Sequence, residues 1–496
     1  MTKAFSRRFF LAGSLSGLAA AAQAGAPAVS LRPQVRPAGI GGRAAPGAGL
    51  LIRGARLGGR VAYAVADVRD GALLEEMAGD AAQPPASVTK AVTALYALDA
   101  LGASYRFKTR LIATGPVENG VLRGDLVLAG GGDPTLDTDA LADMAARLKK
   151  AGVREVRGDF KVWGGALPFE PMIDAEQPEH VGYNPTVSGL NLNYNRVHFQ
   201  WRRGDGGYRV TIDARSRKYR PEVRVSRMSV ADRNYPVYTY SDGGDHDSWT
   251  VARGALGQGG ARWLPVRKPD VYAGEVFVTF ARAHGIALDS IRPTRRAPQG
   301  KALVIRKSQP LRDILHGMLK YSNNLTAELV GITATQARAG QAGSLRASAR
   351  AMSRWAAEEL GMTDARLLDH SGLGEDSRLS ARSMALALVR AHRSGTLRPI
   401  LKDIPMRDKN GRVDKGHPVK VEAKTGTLYF VSSLAGYMTA EDGRVMAFAI
   451  FAADTDRRSR IDRDARGRPP GARGWNRRAK DLQQALIERW NMVYGS

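Results

Sequence analysis

The stretch "PPASVTKAV", residues 84–92, sets Ser87 and Lys90 three positions apart just behind two prolines, where a helix is expected to begin. Positions i and i+3 share one face of a helix, so the hydroxyl and the amine come within reach of each other. A lysine so placed can take the serine proton and leave a nucleophilic oxygen. It must first lose its own proton, which requires burial or a neighbouring cation. The positive end of the helix dipole would favour negative charge on that oxygen. By itself the S-x-x-K pattern arises about once by chance in a chain of this length, and Ser87 alone also reads as an ordinary helix cap.

Two further motifs change that reading. "YSNNLTAE" supplies Ser322, Asn323 and Asn324 in a loop between two expected helices, and "VEAKTGTLYF" supplies Lys424, Thr425 and Gly426 directly after an expected strand, with another strand following. In this order the three resemble the S-x-x-K, S-x-N and K-T-G elements of serine penicillin-binding proteins and β-lactamases. The interval of 235 positions from Ser87 to Ser322 is far longer than in ordinary β-lactamases and smaller carboxypeptidases. It is similar to that of the class C low-molecular-mass penicillin-binding proteins, the penicillin-binding protein 4 type of D-alanyl-D-alanine carboxypeptidase/endopeptidase (peptidase family S13). "GDLVLAGGGDPTL" and "LLDHSGLGEDSRLSA" extend the resemblance over essentially the whole chain after an N-terminal linker.

That resemblance implies roles. Ser87 would attack the penultimate D-alanine carbonyl of a peptidoglycan stem peptide or a D-alanyl cross-link, giving an acyl-enzyme that water hydrolyses. Lys90 would be the base for acylation, Ser322 and Asn324 would complete the proton relay and hold the substrate amide, and Lys424 would keep the site electropositive. Backbone N–H groups of Ser87 and Thr427 match the family's oxyanion hole, and Gly426 would belong to the substrate-binding stretch with Thr425 and Thr427. Thr425 and Thr427 would help bind the terminal carboxylate. Where many members carry an arginine after G-L-S, this chain reads Gly372-Leu373-Gly374-Glu375, which leaves Arg378 as the candidate for that contact. β-Lactams would acylate Ser87, and no metal or organic cofactor is implied. A β-lactamase and a non-catalytic wall-binding scaffold are the alternatives.

The elements that must position these residues follow from pattern. "RVAYAVADVRDGALLEE" alternates around Asp70-Gly71 as a hairpin, and a helix with Val88, Ala91, Val92, Leu95 and Leu98 on its apolar face follows. Short strands and loops fill 102–292; helical periodicity returns at 310–321, 325–339, 344–360 and 380–395. The end reads as strands in "VKVEAK", "LYFVSSLAGYMT" and "RVMAFAIFAA", then a helix in "AKDLQQALIERWNMVYG". The expected fold class is α/β (α+β): a penicillin-binding/β-lactamase-like transpeptidase fold, an antiparallel sheet packed on helices, with a large, mainly β insertion. Its expected limits are 1–24 for a signal peptide, 25–49 for a Gly/Pro/Ala linker, 50–101 with 293–496 for the peptidase domain, and 102–292 for the insertion.

Composition bounds the partners. The chain has 496 residues, no cysteine, and 74 Lys plus Arg against 48 Asp plus Glu, for a formal charge of +26. The absence of cysteine excludes disulfides and thiolate metal sites. No acidic residue precedes Asp67, and ten basic residues lie between Arg457 and Lys480. Neither cluster carries interleaved aromatics, so nucleic acid is not the expected partner. Peripheral contact with an anionic wall or membrane surface is. "SRRFFLAGSLSGLAAAAQA", with Arg7-Arg8 and an A-x-A at Ala22 and Ala24, looks like a twin-arginine export signal and directs the expectation to the periplasm. Four remaining features read as structural: Asp245-His246-Asp247 as an exposed turn, His370 as a packed histidine, "GGGDPTL" as a tight turn and "GALGQGG" as a loop.

Overall fold

Strands Arg60–Asp67, Val431–Thr439 and Val445–Ala453 are buried along nearly their whole length on both faces, which is why they read as near-continuous apolar runs. In the computed structural model, which describes residues 45–408, 410–461 and 469–495, they form the centre of a six-stranded antiparallel sheet. Its order is Lys402–Asp403, Lys420–Leu428, Val431–Thr439, Val445–Ala453, Arg60–Asp67 and Leu73–Met77. The first hairpin thus pairs with strands almost four hundred residues later in the chain, at Arg60↔Ala453 through Asp67↔Met446.

Period-2 alternation gives the two faces different textures. One face carries Ala62, Ala64, Ala66, Ala447 and Ala449, and these small side chains let helix Ala381–Ser394 approach, with helices Thr89–Leu101, Leu311–Tyr321, Asn324–Ala339 and Leu345–Leu360 completing that core. The other face carries Tyr63, Val65, Phe448 and Ile450, which pack on Trp475, Leu482, Leu486 and Trp490 of the last helix, Ala472–Tyr494, and on helix Ala48–Ala55. Helix Thr89–Leu101 is buried over nine consecutive residues, from Thr89 to Ala97, so its lysine has nowhere polar to go except the site.

The residues between Leu101 and Leu311 build separate sheets. Five strands run in the order Ile291–Pro293, Phe160–Trp163, Leu126–Ala129, Lys108–Ala113 and Lys301–Lys307, and the region also holds three three-stranded sheets. This sheet runs past the expected limit at 292, because Lys301–Lys307 returns antiparallel along Lys108–Ala113 before the chain rejoins the helices. The insertion also contains two helices that strand-and-loop periodicity did not reveal, Thr138–Lys150 and Pro269–Ala283. The first has the i, i+3, i+4, i+7 spacing of Leu141, Met144, Ala145 and Leu148, and an N-cap in which the Asp137 side chain accepts from Ala140 N–H at 2.8 Å. At the other end of the chain the last helix starts at Ala472, seven residues before the expected Ala479. Helix Ala48–Ala55 begins inside the stretch expected to be linker, whereas the expected signal peptide and the linker as far as residue 44 lie outside the described residues.

Leu167, Ile173 and Val187 of the insertion form a small core with Leu325, Leu329 and Ile332 of the helix that begins at Asn324. The insertion therefore braces one of the three motif-bearing elements.

Candidate active site

Pro84 and Pro85 end the approach to the first motif, and Ala86–Val88 forms a single tight 3₁₀ turn before helix Thr89–Leu101 begins. Ser87 sits in that turn, partly exposed, while Lys90 is fully buried one turn later. Lys90 Nζ lies 3.1 Å from Ser87 Oγ, 2.7 Å from Asn324 Oδ1 and 2.7 Å from the Ser371 carbonyl. A neutral amine has two protons and one lone pair. Two of these partners can only accept, so in the neutral form the lone pair is left facing the serine hydroxyl. Burial pulls the Lys90 ammonium down from 10.5 to about 8, against the opposing pull of Asp369 and Glu328.

The second motif occupies the joint between helices Leu311–Tyr321 and Asn324–Ala339. Ser322 takes a left-handed conformation that ends the first helix, and the Asn323 side chain caps the second by accepting from Thr326 N–H at 2.9 Å. The joint turns Ser322 and Asn324 to different partners. Asn324 meets Lys90, and its amide nitrogen donates to the Tyr183 carbonyl of the insertion at 2.9 Å. Ser322 Oγ accepts from Lys424 Nζ at 3.0 Å.

Lys424, Thr425 and Gly426 lie within strand Lys420–Leu428 and not after a strand, as expected from the sequence. The short edge strand pairs only with Glu422 and Ala423, so beyond Ala423 the outer edge has no strand partner among the described residues. Thr427 is exposed there, and Thr425 half-buried. Gly426 is required by proximity: a Cβ would stand 3.0 Å from Ser87 N and 2.8 Å from the Pro85 carbonyl. Gly372, at φ +73°, similarly closes the opposite side, where a Cβ would overlap the Ala86 carbonyl. Lys424 is held well below its ordinary value, by burial first and then by Lys90 and Lys402.

The model of the D-Ala-D-Ala carboxypeptidase 3 (S13) family matches residues 50–467. The chain belongs to this family. It is 24% identical over 420 residues to D-alanyl-D-alanine carboxypeptidase DacB of Haemophilus influenzae, covering 79% of this chain and 85% of that one. It is 27% identical over 418 residues to the D-alanyl-D-alanine carboxypeptidase of an Actinomadura species, covering 78% and 76%. The crystal structure of penicillin binding protein 4 (dacB) from H. influenzae superposes with a TM-score of 0.73 at 20% identity, over 90% of this chain and 99% of that one, which identifies the fold.

Within this S13 chain, Ser87, Lys90, Ser322, Asn324 and Lys424 come together, with Thr425, Gly426 and Thr427 on the adjoining strand. Arg378 is different. Its guanidinium donates to the Glu375 and Ser377 carbonyls of its own loop at 2.7 and 3.0 Å, so it stabilises that loop. Glu375 pairs in turn with Arg458, at 2.6 Å. Both Glu375 and Arg458 line a cleft of about 1120 Å³ together with Glu179, His180, Tyr183 and Tyr429. Tyr183 and Tyr429 tie this cleft to the motifs, the one through Asn324 and the other by following Thr427 by two residues.

Other readings are also sharpened. His370 is fully buried, as a packed histidine would be, but it is hydrogen-bonded to Glu328. Asp245 and His246 pair in the turn at 2.6 Å, whereas Asp247 is buried at the start of strand Asp247–Ala252 and is not part of an exposed turn. Burial raises its carboxyl to about 6, against the opposing hydrogen bonds that it accepts from Arg267 N–H and the Tyr240 hydroxyl. "GGGDPTL" makes a turn in which Asp133 accepts from Thr135 N–H at 2.8 Å. Gly259 and Gly260 of "GALGQGG" lie on a strand and not in a loop. The contributions of Tyr183, Glu328 and the Ser371 carbonyl carried no local signal, because each acts across a long sequence separation.

Proposed function

We propose that this protein, a serine DD-peptidase by family, acts on the D-alanyl-D-alanine ends and D-alanyl cross-links of peptidoglycan through an acyl-enzyme on Ser87. The observation that carries the reading is a serine hydroxyl 3.1 Å from a fully buried lysine whose ammonium is pulled down to about 8. Lys90 takes the Ser87 proton as the oxygen attacks the penultimate D-alanine carbonyl. The C–N bond then breaks, and the departing amine of the last residue leaves with a proton. Water attacks the ester in the second half, yielding the shortened peptide and restoring the serine.

Supporting groups follow from placement. Asn324 fixes Lys90 and offers its amide to the substrate backbone. Lys424 and Ser322 form a second hydroxyl–amine pair on the other side, suited to passing a proton toward the leaving nitrogen. The exposed edge of strand Lys420–Leu428 offers backbone and threonine donors, with the N–H groups of Ser87 and Thr427 stabilising the oxyanion and Thr425 and Thr427 receiving the terminal carboxylate. The large cleft beside Tyr183 and Tyr429 takes the rest of the stem peptide. β-Lactams enter as strained analogues of the scissile amide. The paired Arg7-Arg8 segment supports export by the twin-arginine route to the periplasm, where the net charge of +26 suits peripheral contact with anionic wall polymer or membrane surface.

Fluorescent penicillin labelling of the purified chain, resolved on a denaturing gel beside Ser87→Ala, tests this. A band that lasts many minutes and is absent from Ser87→Ala is the expected outcome. A band that fades within seconds would favour a β-lactamase, and no band from folded wild type would favour a wall-binding scaffold.

A further inference from the structure

Behind Lys90 lies a set of buried groups that the reaction outlined above does not use. Glu328 and His370 are fully buried and Asp369 nearly so. Glu328 follows Asn324 by four residues on the same helix, so it shares the face from which Asn324 meets Lys90. Its Oε2 accepts from His370 N–H at 3.0 Å and lies 2.9 Å from His370 Nδ1, while its Oε1 has no hydrogen-bond partner among the described residues. His370 is held from its far side too. Its Nε2 lies 3.0 Å from Ser348 Oγ, and its carbonyl accepts from Thr93 Oγ1 at 2.7 Å. The next carbonyl along the chain, that of Ser371, accepts from Lys90 Nζ.

Asp369 serves a different purpose. Its oxygens accept the N–H groups of Ser371, Gly372 and Gly374 and so shape the turn beneath Ser87. Glu328, by contrast, keeps one oxygen unpaired in the interior, which is costly for a buried polar group. What keeps Glu328 there is what it holds and not packing, since an apolar residue in its place would leave His370 N–H and Nδ1 without their acceptor.

We propose that Glu328, clamped by His370, is a positioning residue for Lys90: its grip on His370 aims the Ser371 carbonyl at Nζ, and its charge sets the pH at which Lys90 becomes a base. The proposal rests on the reading of Lys90 as that base. Several groups face this cluster. Helix Thr89–Leu101 presents Lys90 and, through Thr335, Tyr96; the 369–371 segment presents Asp369 and His370; strand Lys420–Leu428 presents Lys424; helix Leu345–Leu360 presents the uncharged Ser348. Asp369 is the other acid acting on Lys90, so removing Glu328 leaves part of the field in place.

The sign is fixed by electrostatics. A nearby carboxylate favours the ammonium, and Glu328 acts on Lys90 in that direction. The test is the pH dependence of the rate of acylation by fluorescent penicillin, for the full chain as wild type, Glu328→Gln and Glu328→Asp. In wild type the rate rises with pH as Lys90 loses its proton. Glu328→Gln should move this rise to lower pH by on the order of one unit, whatever its effect on the plateau. Glu328→Asp, which keeps the charge, should stay close to wild type. The position of the rise does not depend on how much of each preparation is folded, so a mere loss of folded protein would leave it unmoved. A Glu328→Gln rise at the wild-type pH, or above it, overturns the proposal. If wild type itself is not acylated, the functional reading fails and the proposal fails with it.

Discussion

Lys90 and Lys424 stand on opposite sides of the site in matching poses, each nearly or fully buried and each within reach of a serine hydroxyl, at 3.1 Å from Ser87 and 3.0 Å from Ser322. Their surroundings differ. Lys90 rises from a helix, and two buried acids, Asp369 and Glu328, partly restore its charge. Lys424 comes from a strand, and the charged neighbours that act on it are cations. Burial disfavours the ammonium in both, but only on the helix side is it balanced by opposite charge. That balance keeps Lys90 near the working range of a general base, able both to take and to return a proton.

Substituting each lysine breaks the comparison most directly. Lys90→Met should lower the rate of penicillin acylation by on the order of 10²–10⁴, the usual worth of a positioned general base. Lys424→Met should cost less at the acylation step, since its partner is Ser322 and not the nucleophile. Stopped-flow acylation kinetics on both variants checks the order. A larger loss in Lys424→Met would exchange the roles assigned to the two sides.

A smaller effect concerns stability. The folded-state value of Lys90, about 8, lies below its ordinary 10.5, so between these values the unfolded chain binds more protons than the folded one. Stability should therefore rise with pH across that window, by up to about 3 kcal/mol from this group. Urea unfolding of wild type and Lys90→Met between pH 7.5 and 10.5, roughly the window set by the shift, isolates the contribution. Equal pH slopes in the two proteins would show that Lys90 is not held neutral by the fold.

The smallest expected effect belongs to Arg378. Its Nη1 donates to the Glu375 and Ser377 carbonyls of its own loop, so Arg378→Ala should change kcat/KM on a D-alanyl-D-alanine peptide by less than about threefold, as for a surface substitution away from the chemistry. A tenfold rise in KM would restore it as the carboxylate contact.

The parts legible in the sequence were those whose information is local. Ser87 and Lys90 are tied by one helical turn, Ser322 and Asn324 by a helix joint, and Lys424 to Gly426 by one strand, so spacing alone grouped each motif. That the Arg378 guanidinium donates to carbonyls of its own loop was not legible, because an arginine three residues beyond the family position can fold back as easily as reach into the site. Asp247 was misplaced because a charged residue beside a turn reads as exposed until a neighbouring strand covers it. The helices Thr138–Lys150 and Pro269–Ala283 were hidden in a region dominated by strand and turn signals, although the first has both an N-cap and an apolar stripe.

The sequence by itself determined the three motifs, the alternation that builds the central strands, and the interruption of one scaffold by a long insertion, because these depend on contacts between residues close in the chain or on periodicity. Only the tertiary structure decided what surrounds the chemistry. Lys90 meets Asn324 across 234 positions and the Ser371 carbonyl across 281, Tyr183 reaches Asn324 from the insertion, and Glu328 comes to lie behind the base. Burial and Coulomb interaction depend on distance in space, so the protonation of Lys90 is a property of the assembled fold and not of the motif that contains it.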